Sequence, residues 1–114
     1  MKFKSLIYIS LTLLVACSPK TAPKPVPEVD VLVPTEKDVS AGSHKYPDLQ
    51  LAQLNQGYTI LQTQCTRCHK MYKPGDFAQS DWDMIIPNMA KKARLTDEEK
   101  DKLERYIVSK KLNG

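Results

Sequence analysis

In the C-terminal half of the chain, apolar residues recur at helical intervals. Leu51, Leu54, Tyr58, Leu61 and Cys65 stand three, four, three and four positions apart, one stripe of an amphipathic helix. Ser80-Asp81-Trp82-Asp83 reads as a second helix start, with the Ser80 hydroxyl available to a free backbone N–H. Trp82, Ile85 and Ile86 then form an apolar face until Pro87, which ends or kinks the helix. Thr96-Asp97-Glu98-Glu99 is a capping box. The helix it opens buries Leu103, Tyr106 and Ile107, while Glu98–Lys102 and Asp101–Arg105 pair along its wet face. Val29, Val31 and Val33 alternate with Asp30 and Leu32, but so short a run is better read as solvated linker than as strand. The expected fold class is all-α.

The N-terminal half follows other rules. Met1 to Lys4 is a short basic region, and Leu6 to Val15 is a ten-residue apolar run. A bilayer span takes about twenty apolar residues, so this run suits an export signal and is too short for a lasting span. From Ser18 to Pro47 the chain holds six of its eight prolines, and Ala22-Pro23-Lys24-Pro25-Val26-Pro27 favours extended polyproline II. At about 3.1 Å per residue, such a linker reaches tens of ångströms. The expected organisation is a signal peptide over residues 1–16, a linker over 17–47 and a folded domain over 48–114. Sixty-seven residues is near the lower limit for an independent core, and domains of that size need a staple.

The chemistry lies at the end of the first stripe. Cys65-Thr66-Arg67-Cys68-His69 is a C-x-x-C-H run, the sequence for covalent haem c attachment. Two thiols three positions apart add to the two vinyl groups on one porphyrin edge, and the following imidazole binds iron. The opposite face and the surroundings then set reduction potential and ligand access. A zinc site needs two more Cys or His ligands at suitable spacing, and only Cys17 and His44 remain outside the motif. A thioredoxin-like pair needs a βαβ setting that this chain lacks. One haem, held by Cys65, Cys68 and His69, is the expected cofactor and the expected staple.

Leu14-Val15-Ala16-Cys17 resembles the lipobox of bacterial lipoproteins, in which the cysteine becomes the first residue and carries lipid. The resemblance implies lipidation at Cys17 and a domain tethered on the periplasmic side of a bacterial membrane, inner or outer. Two acyl chains anchor stably where one binds marginally. With Cys65 and Cys68 on haem and Cys17 on lipid, none of the three cysteines is left for a disulfide.

Three segments resemble small class I cytochromes c. The run Gly57-Tyr58-Thr59-Ile60-Leu61-Gln62-Thr63-Gln64-Cys65 is similar to that family's N-terminal helix, with a Gly eight and a large apolar residue four positions before the first Cys. The second segment is Cys65-Thr66-Arg67-Cys68-His69. The third, Leu103-Glu104-Arg105-Tyr106-Ile107, resembles the family's C-terminal L-x-x-Y-[LI] helix. The resemblance implies a compact helical domain around one covalent haem, with its terminal helices crossing at Gly57 and Tyr106. Between His69 and the last helix the chain is shorter than in that family. Trp82, Ile86 and Met89 there resemble the W-x-x-x-(I/V)-x-x-M pattern of compact cytochrome domains.

Met89, past Pro87 in the loop expected before the last helix, is the expected sixth ligand. The alternatives are Met84, whose ordinary fate inside a helix is core packing, and no methionine at all. Met71 is too close to His69 to reach the opposite face. His44 sits in the linker and is read as a solvated histidine. A metal-bound histidine wants an acceptor on its second ring nitrogen, and the resemblance implies a carbonyl near Pro74.

Charge adds a partner. The chain carries +4; without the leader's Lys2 and Lys4 it carries +2. Arg67, Lys70 and Lys73 flank the attachment motif, and Lys91, Lys92 and Arg94 follow Met89. Both sets suit an acidic docking face on a redox protein, and equally a plain solvated surface. No nucleic-acid motif is present, so no nucleic-acid partner is expected. No catalytic acid, base or nucleophile constellation is visible, and the protein is not expected to be an enzyme. The expected function is electron transfer, with His69 and Met89 as iron ligands. The other readings are a haem-based sensor or peroxidase with an open sixth site, and an electron-entry subunit of a membrane oxidoreductase.

Overall fold

The computed structural model describes residues 30–114. They form α1 (Glu36–Gly42), α2 (Leu51–Thr63), α3 (Gln79–Ala93) and α4 (Asp97–Asn113), with 3-10 turns at Cys65–Arg67 and Pro74–Asp76. No strand occurs among the described residues, so the chain is all-α there. The expected signal peptide and Cys17 lie outside them.

The centre of the fold is the pairing of α2 with α4. Leu54, Tyr58 and Leu61 bury one face of α2 against Leu103, Tyr106 and Ile107 of α4. Gly57 makes the approach close. A Cβ at that position would lie 2.2 Å from the Lys102 carbonyl oxygen and 2.7 Å from the Tyr106 Cβ. Those distances are well inside van der Waals contact, so the helices meet backbone to backbone where no side chain fits. Ile60, Thr63 and Gln64 share a groove with Glu99 and Lys102. The C-terminal end of α2 thus lies beside the N-terminal end of α4.

The α4 start follows its sequence. The Glu99 N–H donates to Thr96 Oγ1 at 3.1 Å, and the Thr96 N–H donates to Glu99 Oε2 at 2.8 Å. Two free donors of the first turn are satisfied reciprocally. Lys102–Glu98 and Arg105–Asp101 pair on the outer face. Arg105 also reaches Asp48 at 3.0 Å.

Helix α3 departs from expectation at both ends. It opens at Gln79, and its free N–H at Ala78 donates to Asp81 Oδ2 at 3.2 Å; Ser80 is not the cap. Pro87 lies inside α3, which runs on to Ala93. Proline removes the bond to the carbonyl four residues back, here that of Asp83. Both residues are exposed, so the break falls on the wet face of the helix, which continues. Arg94, at φ 57° and ψ 41°, closes α3 in the left-handed region, and the Leu95 N–H returns to the Ala90 carbonyl at 2.9 Å.

The largest departure concerns the expected linker over residues 17–47. Its stretch over residues 30–47 is folded onto the domain instead. Thr35 and Asp38 cap α1: the Thr35 N–H donates to Asp38 Oδ2 at 2.7 Å. Pro34 stands just before that cap, where a missing N–H costs nothing. The Asp38 carboxylate is fully buried and accepts from Lys110 Nζ at 3.1 Å and Asn113 Nδ2 at 2.8 Å. Gly42 packs on Ser109, where an added Cβ would fall 2.0 Å from Oγ. Upstream, the Tyr106 hydroxyl donates to the Leu32 carbonyl at 2.7 Å, and that of Tyr58 to Asp30 Oδ2 at 3.0 Å. The dense prolines, Pro19, Pro23, Pro25 and Pro27, all precede this segment.

Candidate functional site

The C-x-x-C-H run begins where α2 stops. Gln64 closes that helix, its N–H bonded to the Ile60 carbonyl at 2.9 Å, and Cys65–Arg67 follow as a tight 3-10 turn. Thr66 Oγ1 donates to the Gln62 carbonyl and Arg67 Nη1 to Gln64 Oε1 at 3.1 Å, which holds the turn against the helix end. Cys65 is 4% exposed and joins the apolar core with Leu61, Trp82 and Ile86. Cys68 is exposed, and both thiols are free.

This placement bears on the competing chemistries. Burial pushes the Cys65 thiol up to about 11. A redox-active pair needs the reverse, a thiolate favoured at a helix N-terminus or beside a cation, whereas Cys65 sits at a helix C-terminal end. Among the described residues, no three His, Cys, Asp or Glu side chains converge as a metal site. Zinc, which takes four such ligands, is not provided for by these side chains alone.

His69 is half-buried. Its Nδ1 lies 2.6 Å from the Lys70 carbonyl oxygen. A carbonyl only accepts, so Nδ1 is the donor in this contact, and in the neutral imidazole the lone pair then falls on Nε2. The acceptor is therefore one residue from His69, and not at Pro74 as expected. The Pro74 carbonyl is already engaged, accepting from Trp82 Nε1 at 2.9 Å inside the core. The His69 ring also packs on Tyr72, with centroids 4.6 Å apart.

The methionines separate by helix face. Trp82, Ile86 and Ala90 are the buried residues of α3, and half-buried Met89 flanks them and packs on the core. Met84 falls off that stripe and is 63% exposed. Met89 is thus in a helix and not in a loop, because α3 passes through Pro87. It packs against the same apolar cluster as Cys65. Met71 also packs on that cluster, half-buried.

Arg67, Lys70, Lys73, Lys91, Lys92 and Arg94 are all exposed. None of them takes part in the four ion pairs among the described residues. His44 is exposed, in the turn after α1.

This donor set is chemically compatible with a covalent porphyrin. It offers two free thiols at the required spacing, an imidazole whose Nδ1 is already engaged so that Nε2 is the nitrogen left over, and a thioether on the inner face of another helix. Once bound, a haem supplies a one-electron ferric–ferrous couple. Tyr72, packed on His69, and Phe77 behind it carry no signal in the sequence: both lie in irregular chain after His69, where no periodicity marks a contact.

Compared with known proteins, the chain matches no family model, no curated protein and no solved structure. The likeness to class I cytochromes c rests on the three short segments quoted above.

Proposed function

We propose that this protein transfers electrons through one haem c, covalently attached at Cys65 and Cys68, on a domain tethered to a bacterial membrane by lipid at Cys17. The observation that carries the reading is the C-x-x-C-H run, with both thiols free and the His69 Nδ1 proton committed to the Lys70 carbonyl. That leaves Nε2 as the iron-binding nitrogen, with the Met89 thioether as the second axial donor. The chain's part is to hold, orient and tune the cofactor. The exposed cations around the motif and after Met89 suit an acidic face on a redox partner.

The test is expression in a host that attaches haem c. The purified protein is expected to carry one haem that survives acid–acetone extraction and gives a haem c pyridine haemochrome. Cys65→Ala or Cys68→Ala should leave one thioether or none. Stoichiometric zinc without porphyrin would overturn the proposal. Haem that binds carbon monoxide freely in the ferrous parent would favour a sensor or peroxidase with an open sixth site.

A further inference from the structure

We propose that Tyr72 is a positioning residue for His69, fixing the plane of its imidazole through a row of aromatic rings anchored in the core. The inference rests on the haem reading above and adds a residue that the attachment motif does not contain.

His69 follows an exposed cysteine on a loop, where an imidazole is ordinarily free to turn about two side-chain bonds. Two contacts remove that freedom. The Lys70 carbonyl holds Nδ1 at 2.6 Å, and the Tyr72 ring covers one face at 4.6 Å between centroids and 31° between planes. Tyr72 lies in irregular chain and needs support of its own. The Phe77 ring meets it edge-on at 5.1 Å and 80°, and Trp82 meets Phe77 at 5.4 Å and 90°. Edge-to-face pairs at such distances match the ring quadrupoles and resist sliding.

The row ends on a fixed point. Trp82 is fully buried on α3, and its Nε1 donates to the Pro74 carbonyl at 2.9 Å. Lys111 of α4 secures the same loop from behind, donating to the Phe77 carbonyl at 2.7 Å. Orientation therefore passes from two helices, through three rings, to the imidazole. Partners that hold a metal-bound histidine fix its tautomer and ring direction and tune the metal. Here the carbonyl sets the tautomer and Tyr72 sets the plane.

The haem-loaded full-length protein supplies the readouts. In a low-spin ferric haem, the electron-paramagnetic-resonance g values follow the orientation of the axial imidazole plane, and the reduction potential follows the ligand field. Tyr72→Phe keeps the ring face and should match the parent in both. Tyr72→Leu should load haem to the same extent, yet shift and broaden the g values and move the potential. Phe77→Leu, altered at a ring that packs on Tyr72 and Trp82, should produce a smaller change of the same kind. The double variant should show no more than Tyr72→Leu alone. Parent-like g values and potential in both Tyr72→Leu and Phe77→Leu would overturn the positioning role while leaving the haem reading intact. A parent without covalent haem would overturn both.

Discussion

Asp38 shows how much one side chain sets at this size. Its carboxylate is fully buried, yet it accepts from the Thr35 N–H, the Thr35 hydroxyl, Lys110 and Asn113. Burial pushes its pKa up, and these bonds together outweigh burial, so the carboxyl is held below its ordinary value. The folded state thus favours the ionised form. The resulting stability is present above the unfolded-state value of about 3.9 and is lost as pH falls through the lower folded value. We expect Asp38→Ala to cost about 1–3 kcal/mol at neutral pH, the usual penalty for orphaned buried partners. Melting temperature measured against pH should converge for parent and variant below about pH 4, where the parent's advantage titrates away. Parallel curves down to the acid limb would show that the carboxylate charge is not what matters. At the same scale, the Gly57–Tyr106 contact was legible in advance, through the likeness of two short segments to a known helix crossing. The Asp38 cluster was not, because two of its partners, Lys110 and Asn113, are 72 and 75 residues away.

Among the elements, α2 and α4 were legible because period and caps agree. The stripe from Leu51 to Cys65 fixes one, and the Thr96–Glu99 box opens the other. For α3, the proline was over-weighted: at an exposed position the lost hydrogen bond falls on the wet face of the helix, which survives. This displaced Met89 from loop to helix. Helix α1 was missed altogether, although Thr35-Glu36-Lys37-Asp38 has the capping-box form. The surrounding prolines hid it. Its contribution is open to measurement by comparing haem-loaded chains that begin at Asp30 and at Asp48. The shorter one loses the packing of Leu32 and Val39 on the core and the acceptor of the buried Tyr106 hydroxyl. Leu32 and Val39 are partly buried, so each contributes a fraction of the about 1.5–3 kcal/mol of a fully buried aliphatic side chain. With the lost hydrogen bond at about 1 kcal/mol, the shorter chain should be less stable by about 2 kcal/mol. A urea midpoint shared by the two chains would mean that residues 30–47 are ornament to the fold.

For the molecule as a whole, the proposed haem asks two segments that are distant in sequence to serve one iron. His69 comes from the loop after α2 and Met89 from the inner face of α3. We expect Met89→Ala to abolish the weak near-infrared sulfur–iron band of the ferric protein, lower its potential and open the ferrous iron to carbon monoxide. Met84→Ala should leave all three unchanged, since that side chain is 63% exposed on another face. The reverse pattern would exchange their roles. The attachment motif could be read from sequence because its chemistry is local. The place of Met89 was not legible, because it depends on how α3 packs.

The folding of residues 30–47 has a consequence for diffusion. With lipid at Cys17, a body starting at Asp48 has about thirty residues of leash, on the order of 100 Å at full stretch; one starting at Asp30 has twelve, on the order of 40 Å. For a flexible leash, effective concentration falls roughly as the −3/2 power of its length. On the proposed anchoring, the shorter leash would therefore raise the domain's effective concentration towards a membrane-bound partner by about fourfold. A partner whose docking face stands far above the bilayer is excluded by the same arithmetic. Lengthening the 18–29 segment would trade encounter frequency for range.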